Sequence, residues 1–142
     1  IPPGADGVRV REGADQGTLA DGFTGLADRH HPGQGTRAIM EKVAYVLGEQ
    51  VDKLCGSYRP SEIHSCGGAA RSRLWLQIKA DVLNIPFVSN ACPEPTSLGA
   101  AMLAARAIGW GQLPDLAAEW IQTRWTCHPS LDRHKVYSKL RY

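Results

Sequence analysis

The chain has 142 residues, of which 43% are hydrophobic and 21% charged, and its formal net charge is +2. These values are typical of one soluble globular domain and exclude collagen, coiled coil and wholesale disorder. No block of basic residues occurs, so we predict no nucleic-acid partner. The longest apolar run, near residues 100–105, is far shorter than the roughly 20 residues of a membrane span, so we predict no membrane partner.

The cysteines indicate free thiols rather than a disulfide framework. There are four of them and no Cys-x-x-Cys pair. A chain of this length buries enough apolar surface to fold without disulfides, and its first residues do not resemble a signal peptide. We therefore predict a cytoplasmic protein. Cys127 with His128 or His134 would supply only half of a tetrahedral zinc site, so no metal site is predicted.

The first third of the chain predicts a loop, a short strand and a long helix. Residues 1–21 are rich in Gly, Asp and Pro and predict an irregular leading segment, in which only Val8 and Val10 alternate like a strand. A domain is expected over residues 22–142, and residues 22–26 predict its first strand. A helix is predicted with Thr36 as its N-cap and Gly56 as its stop. Its apolar face comprises Ile39, Val43, Val46, Leu47 and Leu54.

Strands and helices alternate along the rest of the chain. Two further strands are predicted at residues 62–66 and 86–88, and the helix between them ends at Asn84, a residue that tolerates the left-handed conformation. A helix capped by Thr96 or Ser97 is rich in small residues, which allow close packing. Helices are also predicted at about residues 72–83, 116–121 and 130–140. This alternation predicts an α/β layered architecture.

The segment around Gly67 and Gly68 is the one that indicates chemistry. A predicted strand ends there, two glycines turn the chain, and a helix begins near Ser72. Glycine lets a ligand approach the backbone, because no Cβ blocks the contact. The first N–H groups and the dipole of the following helix suit a phosphate or a nucleotide. A Gly-Gly turn is more often structural, so this turn alone does not decide the matter.

The sequence on both sides of the turn resembles a known family. Residues 67–86, GGAARSRLWLQIKADVLNIP, are similar to the hallmark segment of the FGGY family of carbohydrate kinases, and residues 94–101, EPTSLGAA, are similar to its second signature. More weakly, residues 22–26 resemble the strand that opens the family's C-terminal domain, and residues 134–137 resemble its last helix. Four motifs in order are more specific than one, and the resemblance covers roughly residues 17–142.

The resemblance implies a fold, an activity and partners. The fold is the ribonuclease-H-like domain of actin-like ATPases, a mixed sheet flanked by helices, and residues 22–142 would be the C-terminal nucleotide-binding domain of a sugar kinase. ATP and Mg²⁺ are the implied cofactors. The implied reaction transfers the ATP γ-phosphate to a hydroxyl of a sugar or polyol, with a pentulose slightly favoured. The implied partners are these substrates and the kinase's own N-terminal sugar-binding domain, which this sequence lacks; a homodimer is left open.

Four residues of the chain match the family's nucleotide site. By this resemblance, Gly67 would supply the turn and Gly68 would bring backbone close to the nucleotide phosphates and ribose. Ala69 would continue that wall, and Ser72 would lie beside the adenine. The family often has a further glycine where this chain has Cys66, whose side chain is interpreted as a small apolar group at a strand end rather than as a redox site.

No catalytic residue is assigned within the chain. The family's catalytic Asp lies well ahead of this segment, and Asp15, which superficially matches a Gly-Asp motif, stands too close to Gly22 to be that base. Residues 1–142 alone are therefore expected to be inactive. Two alternatives remain: a non-catalytic actin-like module that binds nucleotide to regulate an interaction, and a structural α/β domain without a ligand.

Several neighbouring side chains have a functional and a structural interpretation. Glu94 would orient a magnesium-bound water or simply favour a helix N-terminus, and the second is preferred. Trp75 would stack on adenine or pack in the core, and core packing is preferred. Arg71 is interpreted mainly as a solvated residue, although it lies inside the turn. Asp81 is placed on the polar side of its helix with no functional role.

Overall fold

The structure is a computed structural model that describes residues 1–11, 22–92 and 94–140. Strands and helices alternate along it, which confirms the predicted α/β class. Single 3-10 turns lie at Ala5–Gly7 and Gly68–Arg71. The elements in chain order are β1 (Arg9–Val10), β2 (Phe23–Thr24), α1 (Pro32–Cys55), β3 (Ile63–Ser65), α2 (Arg73–Leu83), β4 (Phe87–Asn90), α3 (Pro95–Ala107), α4 (Leu113–Trp120), β5 (Thr123–Cys127) and α5 (Leu131–Leu140).

A mixed three-stranded sheet carries the glycine turn. Its order is β3-β4-β5, with β3 and β4 parallel and β4 and β5 antiparallel. The register pairs Ser65 with Ser89, so the carboxyl ends of β3 and β4 lie side by side. The sequence did not predict β5, because only Cys127 in it is buried and the hydrophobic alternation is correspondingly weak.

The main core lies between the sheet and α2. It is a cluster of fully or almost fully buried side chains to which α2, β4 and β5 contribute, and Leu47 and Val51 of α1 pack against it. The buried members are Leu76, Ala80, Leu83, Ile85, Phe87 and Cys127. The predicted end of α2 is also confirmed, since Asn84 has the left-handed φ of 55°. No helix of the described ranges is both long and apolar enough to cross a bilayer.

The N-terminus of α1 differs from the prediction. The helix begins at Pro32, four residues before Thr36, and His31 is its N-cap. The His31 side chain accepts a hydrogen bond from the Gly33 N–H at 3.0 Å, and the Gln34 side chain accepts one from the His31 N–H at 3.1 Å. These two hydrogen bonds form a reciprocal capping box. Its N-cap residue is a histidine, which is not among the residue types usually preferred at that position. The predicted stop at Gly56 is confirmed.

The predicted apolar face of α1 is mostly exposed. Ile39, Val43 and Val46 are 48%, 42% and 43% exposed, and Leu54 is 85% exposed. The side chains that α1 buries instead are Gln34, Ala38, Glu41 and Ala44. These face the first residues of the chain and α5, where hydrogen bonds satisfy the polar atoms and small side chains allow close approach. The prediction holds for Leu47 alone among the residues named.

The leading segment is more ordered than expected. Arg9–Val10 pairs antiparallel with Phe23–Thr24, and Ala5 and Val8 are buried against Ala38 of α1. Residues 12–21, which include Asp15 and its Gly-Asp-like motif, lie outside the described residues, as do Pro93 and the last two positions. The division of the chain at residue 22 stays a prediction.

The last helices have slightly different bounds from those predicted. α3 begins at Pro95, so Glu94 occupies the N-cap position, and neither Thr96 nor Ser97 caps the helix. A proline at the first helical position explains this start, because its φ is already helical and it has no N–H to satisfy. Met102 and Ala105 pack against α4, whereas the other alanines of α3 from residue 100 to residue 107 are exposed.

Candidate functional site

The glycine turn has the predicted strand–turn–helix geometry. β3 ends at Ser65, the 3-10 turn begins at Gly68, and α2 begins at Arg73. Gly67 has φ 78° and ψ −169°, a conformation that residues with a Cβ rarely adopt. Gly68 has no such positive φ. The conformational need for glycine therefore falls on the first of the two positions.

Both glycines present their backbone to solvent. Gly67 and Gly68 are exposed, and a Cβ added to either would meet no atom within 4 Å. Neither φ nor packing within this chain therefore requires a glycine at position 68. A molecule that approaches the backbone from outside would require it, because a side chain there would occupy the approach.

The other two predicted site residues lie in the same turn. Ala69 is half-buried, and Ser72 is the N-cap of α2, with its Oγ accepting a hydrogen bond from the Trp75 N–H at 3.3 Å. The Ser72 hydroxyl, predicted at the helix start, therefore stabilises the N-terminus of α2. The 3-10 turn of Gly68–Arg71 leads into α2 at Arg73, so the positive end of the helix dipole adjoins the turn.

A small cavity adjoins the turn at the carboxyl edge of the sheet. Its volume is about 10 Å³, which is at the lower limit of the space that one water molecule needs. Side chains that follow β3 and β4 meet there because the two strands are parallel, and this edge of an α/β sheet is where ligands usually bind. The lining residues are Ser65, Cys66, Gly67, Ala70, Arg71, Asn90, Ala91, Cys92 and Arg124.

Two charged side chains flank this edge. The Arg71 Nη2 lies 3.8 Å from the Glu94 Oε1, and these side chains are 59% and 72% exposed. An exposed pair at this separation contributes little to stability. Both groups therefore remain accessible to a ligand. The Asn90 Oδ1 is buried and has no hydrogen-bond partner in the part of the chain that the structure describes.

The larger cavities lie away from the turn. A groove of about 1040 Å³ runs along β2 and the start of α1, where Phe23, Leu26 and Ile39 contribute to its walls. A second cavity of about 230 Å³ lies between α1, α2 and α5 and is lined by residues that include Tyr45 and His134. Neither contains a residue of the glycine turn, so the candidate site is an open edge rather than an enclosed pocket.

Asp81 corrects a sequence-based interpretation. It is 2% exposed and does not face solvent. Its carboxylate accepts hydrogen bonds from the Ser130 N–H at 2.8 Å and from the Arg133 Nε at 2.6 Å. The Gln77 side chain donates a third at 3.0 Å. Asp81 therefore joins α2 to α5, a role that the sequence did not reveal because Ser130 and Arg133 lie about fifty positions away.

A second buried polar cluster joins α1 to α5. The Glu41 Oε1 accepts hydrogen bonds from the Arg37 Nε and the Tyr137 hydroxyl, both at 2.9 Å, and from the Gly4 N–H at 3.0 Å. Burial raises the pKa of Tyr137 well above its usual value, and the negative charge of Glu41 raises it further. Every polar group named here has a partner within the chain, so the cluster is structural.

Trp75 and Lys79 form a stacked pair on α2. The Lys79 Nζ lies 4.8 Å from the centre of the Trp75 ring, and burial lowers the pKa of Lys79. Trp75 is half-buried.

Among residues 1–11, 22–92 and 94–140, no three His, Cys, Asp or Glu side chains lie close enough together to hold a metal ion.

Solved structures show the fold class. Xylulose kinase from Lactobacillus acidophilus superposes with a TM-score of 0.76 at 24% identity, covering 99% of this chain and 30% of that chain. Xylulose kinase from Rhodospirillum rubrum superposes with a TM-score of 0.75 at 32% identity, with the same coverage. The mixed sheet flanked by helices is therefore the ribonuclease-H-like fold of actin-like ATPases, as the sequence predicts.

Sequence comparison then shows the family. The profile of the "FGGY family of carbohydrate kinases, C-terminal domain" matches residues 6–108. Xylulose kinase from Staphylococcus epidermidis is 30% identical over 135 residues, which cover 94% of this chain and 27% of the relative. Glycerol kinase from Acidiphilium cryptum is 35% identical over 127 residues, which cover 86% and 25%. The chain belongs to the FGGY family of carbohydrate kinases, and it spans about a quarter of the length of these curated relatives.

Proposed function

We propose that this chain is the ATP-binding C-terminal domain of a kinase that transfers the ATP γ-phosphate to a hydroxyl of a sugar or polyol. The observation that carries the proposal is the exposed backbone of Gly67 and Gly68 at the carboxyl edge of the sheet, in a chain of the FGGY family. Two relatives are xylulose kinases and another is a glycerol kinase. A pentulose is the favoured substrate, and the non-catalytic regulatory module gains no support from these relatives.

The nucleotide would lie against the turn formed by Gly67, Gly68, Ala69 and Ser72. Gly67 has a conformation that residues with a Cβ rarely adopt, and Gly68 leaves the approach to the exposed backbone open. The start of α2 adds the positive end of a helix dipole, which favours an anionic ligand. Phosphoryl transfer depends mainly on such positioning and on charge neutralisation.

Magnesium would arrive with the nucleotide rather than bind to a cage of side chains. Mg²⁺ prefers phosphate oxygens, waters and one or two carboxylates. Glu94 is an exposed carboxylate beside the turn, and it fits the role of orienting a magnesium-bound water. Arg71, which is equally accessible, would contact the nucleotide phosphates. When bound, the ion supplies charge neutralisation to the phosphates.

The rest of the kinase would cover surfaces that this chain leaves open. The exposed stripe of Ile39, Val43 and Val46 on α1 is apolar, and β3 pairs on one side only within the described residues. These relatives are more than three times as long as this chain, so an N-terminal sugar-binding domain is the partner we assign to these surfaces. That domain would also supply the catalytic base. A cytoplasmic location is consistent with the unpaired thiols.

The decisive experiment substitutes Gly68 in the complete kinase. Gly68→Val should weaken binding of an ATP analogue about ten- to a hundredfold, because a branched side chain would occupy the ligand's approach to the backbone. Sugar affinity should stay nearly unchanged. Calorimetric titrations with the ATP analogue and with the sugar measure both. Gly48→Ala on α1 is the matched control, since its added Cβ makes only an ordinary contact with Leu83 at 3.7 Å.

Two results would contradict the proposal. Unchanged ATP affinity with reduced sugar affinity in Gly68→Val would place the turn outside the nucleotide site. ATP-dependent phosphorylation of a sugar by residues 1–142 alone, free of contaminating kinase, would show that the catalytic base lies within the chain.

A further inference from the structure

Two cysteines lie at the cavity beside the glycine turn. Cys66 directly follows β3, and Cys92 lies two residues after the end of β4. Both line the same small cavity at the carboxyl edge of the sheet. The other two cysteines lie elsewhere: Cys55 is the last residue of α1, and Cys127 is buried in the main core.

The strand register explains this juxtaposition. Ser65 and Ser89 are paired across β3 and β4, and neighbouring strands lie about 4.8 Å apart. Cys66 follows the first serine directly, and Cys92 follows the second after three positions, just beyond a bend at Ala91. A disulfide needs Cα atoms within about 7 Å and side chains that face each other. The two thiols line one cavity at the ends of paired strands, and closing the bond would bring the segment after β4 toward Cys66.

The two thiols differ in their exposure to solvent and therefore in the order in which they would react. Cys66 is exposed and Cys92 is half-buried, so an incoming reagent meets Cys66 first. Arg71 and Arg124 line the same cavity. Guanidinium groups bind carboxylates through paired hydrogen bonds, so these arginines favour an anionic disulfide over a neutral one. Glutathione disulfide, which carries four carboxylates, has this chemistry.

We propose that Cys66 and Cys92 are a redox-active thiol pair that closes a disulfide across this cavity by reaction with glutathione disulfide. The Cys66 thiolate attacks one sulfur of glutathione disulfide, which forms a mixed disulfide and releases the first glutathione thiol. The Cys92 thiolate then attacks the Cys66 sulfur and releases the second. Two S–H bonds and one S–S bond break, one S–S bond and two S–H bonds form, and two electrons pass from the protein to glutathione.

The Cys66–Cys92 disulfide would restrict the motion of the glycine turn. It would tie the end of β3 to the segment after β4, directly beside Gly67. If the turn binds nucleotide as proposed above, closure would restrict the backbone that the nucleotide contacts. The disulfide itself does not depend on that function, and its formation is measured independently of ATP.

The test treats the reduced 142-residue chain with glutathione disulfide under native conditions and counts thiols after acid quenching and alkylation in denaturant. We expect free thiols to fall from four to two. Intact mass should fall by two hydrogen atoms, and peptide mapping should join Cys66 to Cys92. Cys66→Ser and Cys92→Ser should each abolish this product, whereas Cys55→Ser, the matched control, should leave it unchanged.

The chain's response to the variants decides the outcome. In Cys92→Ser the reaction should stop at a glutathione adduct on Cys66, which shows the order of the two steps. The proposal is overturned if the unsubstituted chain retains four thiols, if it keeps glutathione on Cys66 without closing the bridge, or if Cys66 pairs with Cys55 instead. It is also overturned if the same bridge forms only after urea has unfolded the chain.

Discussion

Two regions at opposite ends of α2 are built on different principles. At its C-terminal half, Asp81 is buried and accepts hydrogen bonds from α5, and the nearby Glu41–Tyr137 pair joins α1 to α5. At its N-terminus, the glycine turn exposes its backbone. Its charged neighbours Arg71 and Glu94 are exposed, and their nearest charged atoms lie 3.8 Å apart. In the first region the polar groups form hydrogen bonds within the chain. In the second region they remain exposed and can bind a ligand.

This difference separates charged groups that stabilise the fold from charged groups that can bind a ligand. A buried carboxylate must be satisfied within the chain, because its desolvation is costly. An exposed group at the turn has no such need, since water already solvates it. Substitutions in the first region should therefore change stability, and those in the second should change ligand binding.

The largest effect is expected at Asp81. Asp81→Ala would leave the Ser130 N–H and the Arg133 guanidinium without their acceptor and should lower the free energy of unfolding by about 3–5 kcal/mol. Urea denaturation followed by circular dichroism measures this. Asp28→Ala, at an exposed aspartate, is the control and should change stability by less than about 0.5 kcal/mol. Equal losses in both variants would contradict the stabilising role assigned to the buried Asp81 carboxylate.

The next effect separates the two glycines of the turn. Gly67→Ala should cost about 1–2 kcal/mol of stability, because φ is 78° there. Gly68→Ala should cost far less, since that position has neither a positive φ nor a close neighbour. The same denaturation experiment compares them. A larger loss at Gly68 would show that its backbone is held by packing and not left open.

A smaller effect, of about 1 kcal/mol at neutral pH, is expected for Tyr137→Phe. This variant removes the hydrogen bond that the hydroxyl donates to Glu41 and the one that it accepts from the Arg37 Nη2, while Arg37 and Glu41 remain paired with each other. The raised pKa of Tyr137 adds a pH dependence. The unfolded chain loses the phenol proton near pH 10 and the folded chain only at higher pH, so stability is retained below pH 10 and falls above it. Unfolding at pH 9 and pH 11 should show a smaller fall in the variant. An identical fall in both proteins would contradict the assignment.

The smallest effect is expected at Arg71. Arg71→Ala should change the free energy of unfolding by about 0.5 kcal/mol or less, because its partner Glu94 is exposed and 3.8 Å away. In the complete kinase the same variant should weaken ATP binding measurably in calorimetry, since the guanidinium would contact phosphate. A variant that unfolds readily but binds ATP normally would reverse both expectations.

The sequence predicted local geometry well where backbone conformation is fixed by particular residues. Gly67 and Gly68 predict the turn, and Asn84 predicts the end of α2. Gly67 and Asn84 each have a backbone conformation that few other residues adopt. The start of α1 was misplaced, since a histidine cap and Pro32 gave a weaker signal than Thr36. β5 was missed because its single buried side chain leaves no alternation to detect.

The sequence by itself determined the alternation of most strands and helices, the glycine turn and the family. Only the tertiary structure decided which face of α1 is buried, that Asp81 joins two helices, and that Cys66 and Cys92 share one cavity. The physical reason is the range of the interactions involved. Backbone propensities and turn chemistry act over a few residues, whereas burial and hydrogen bonding depend on partners that folding brings together from distant parts of the chain.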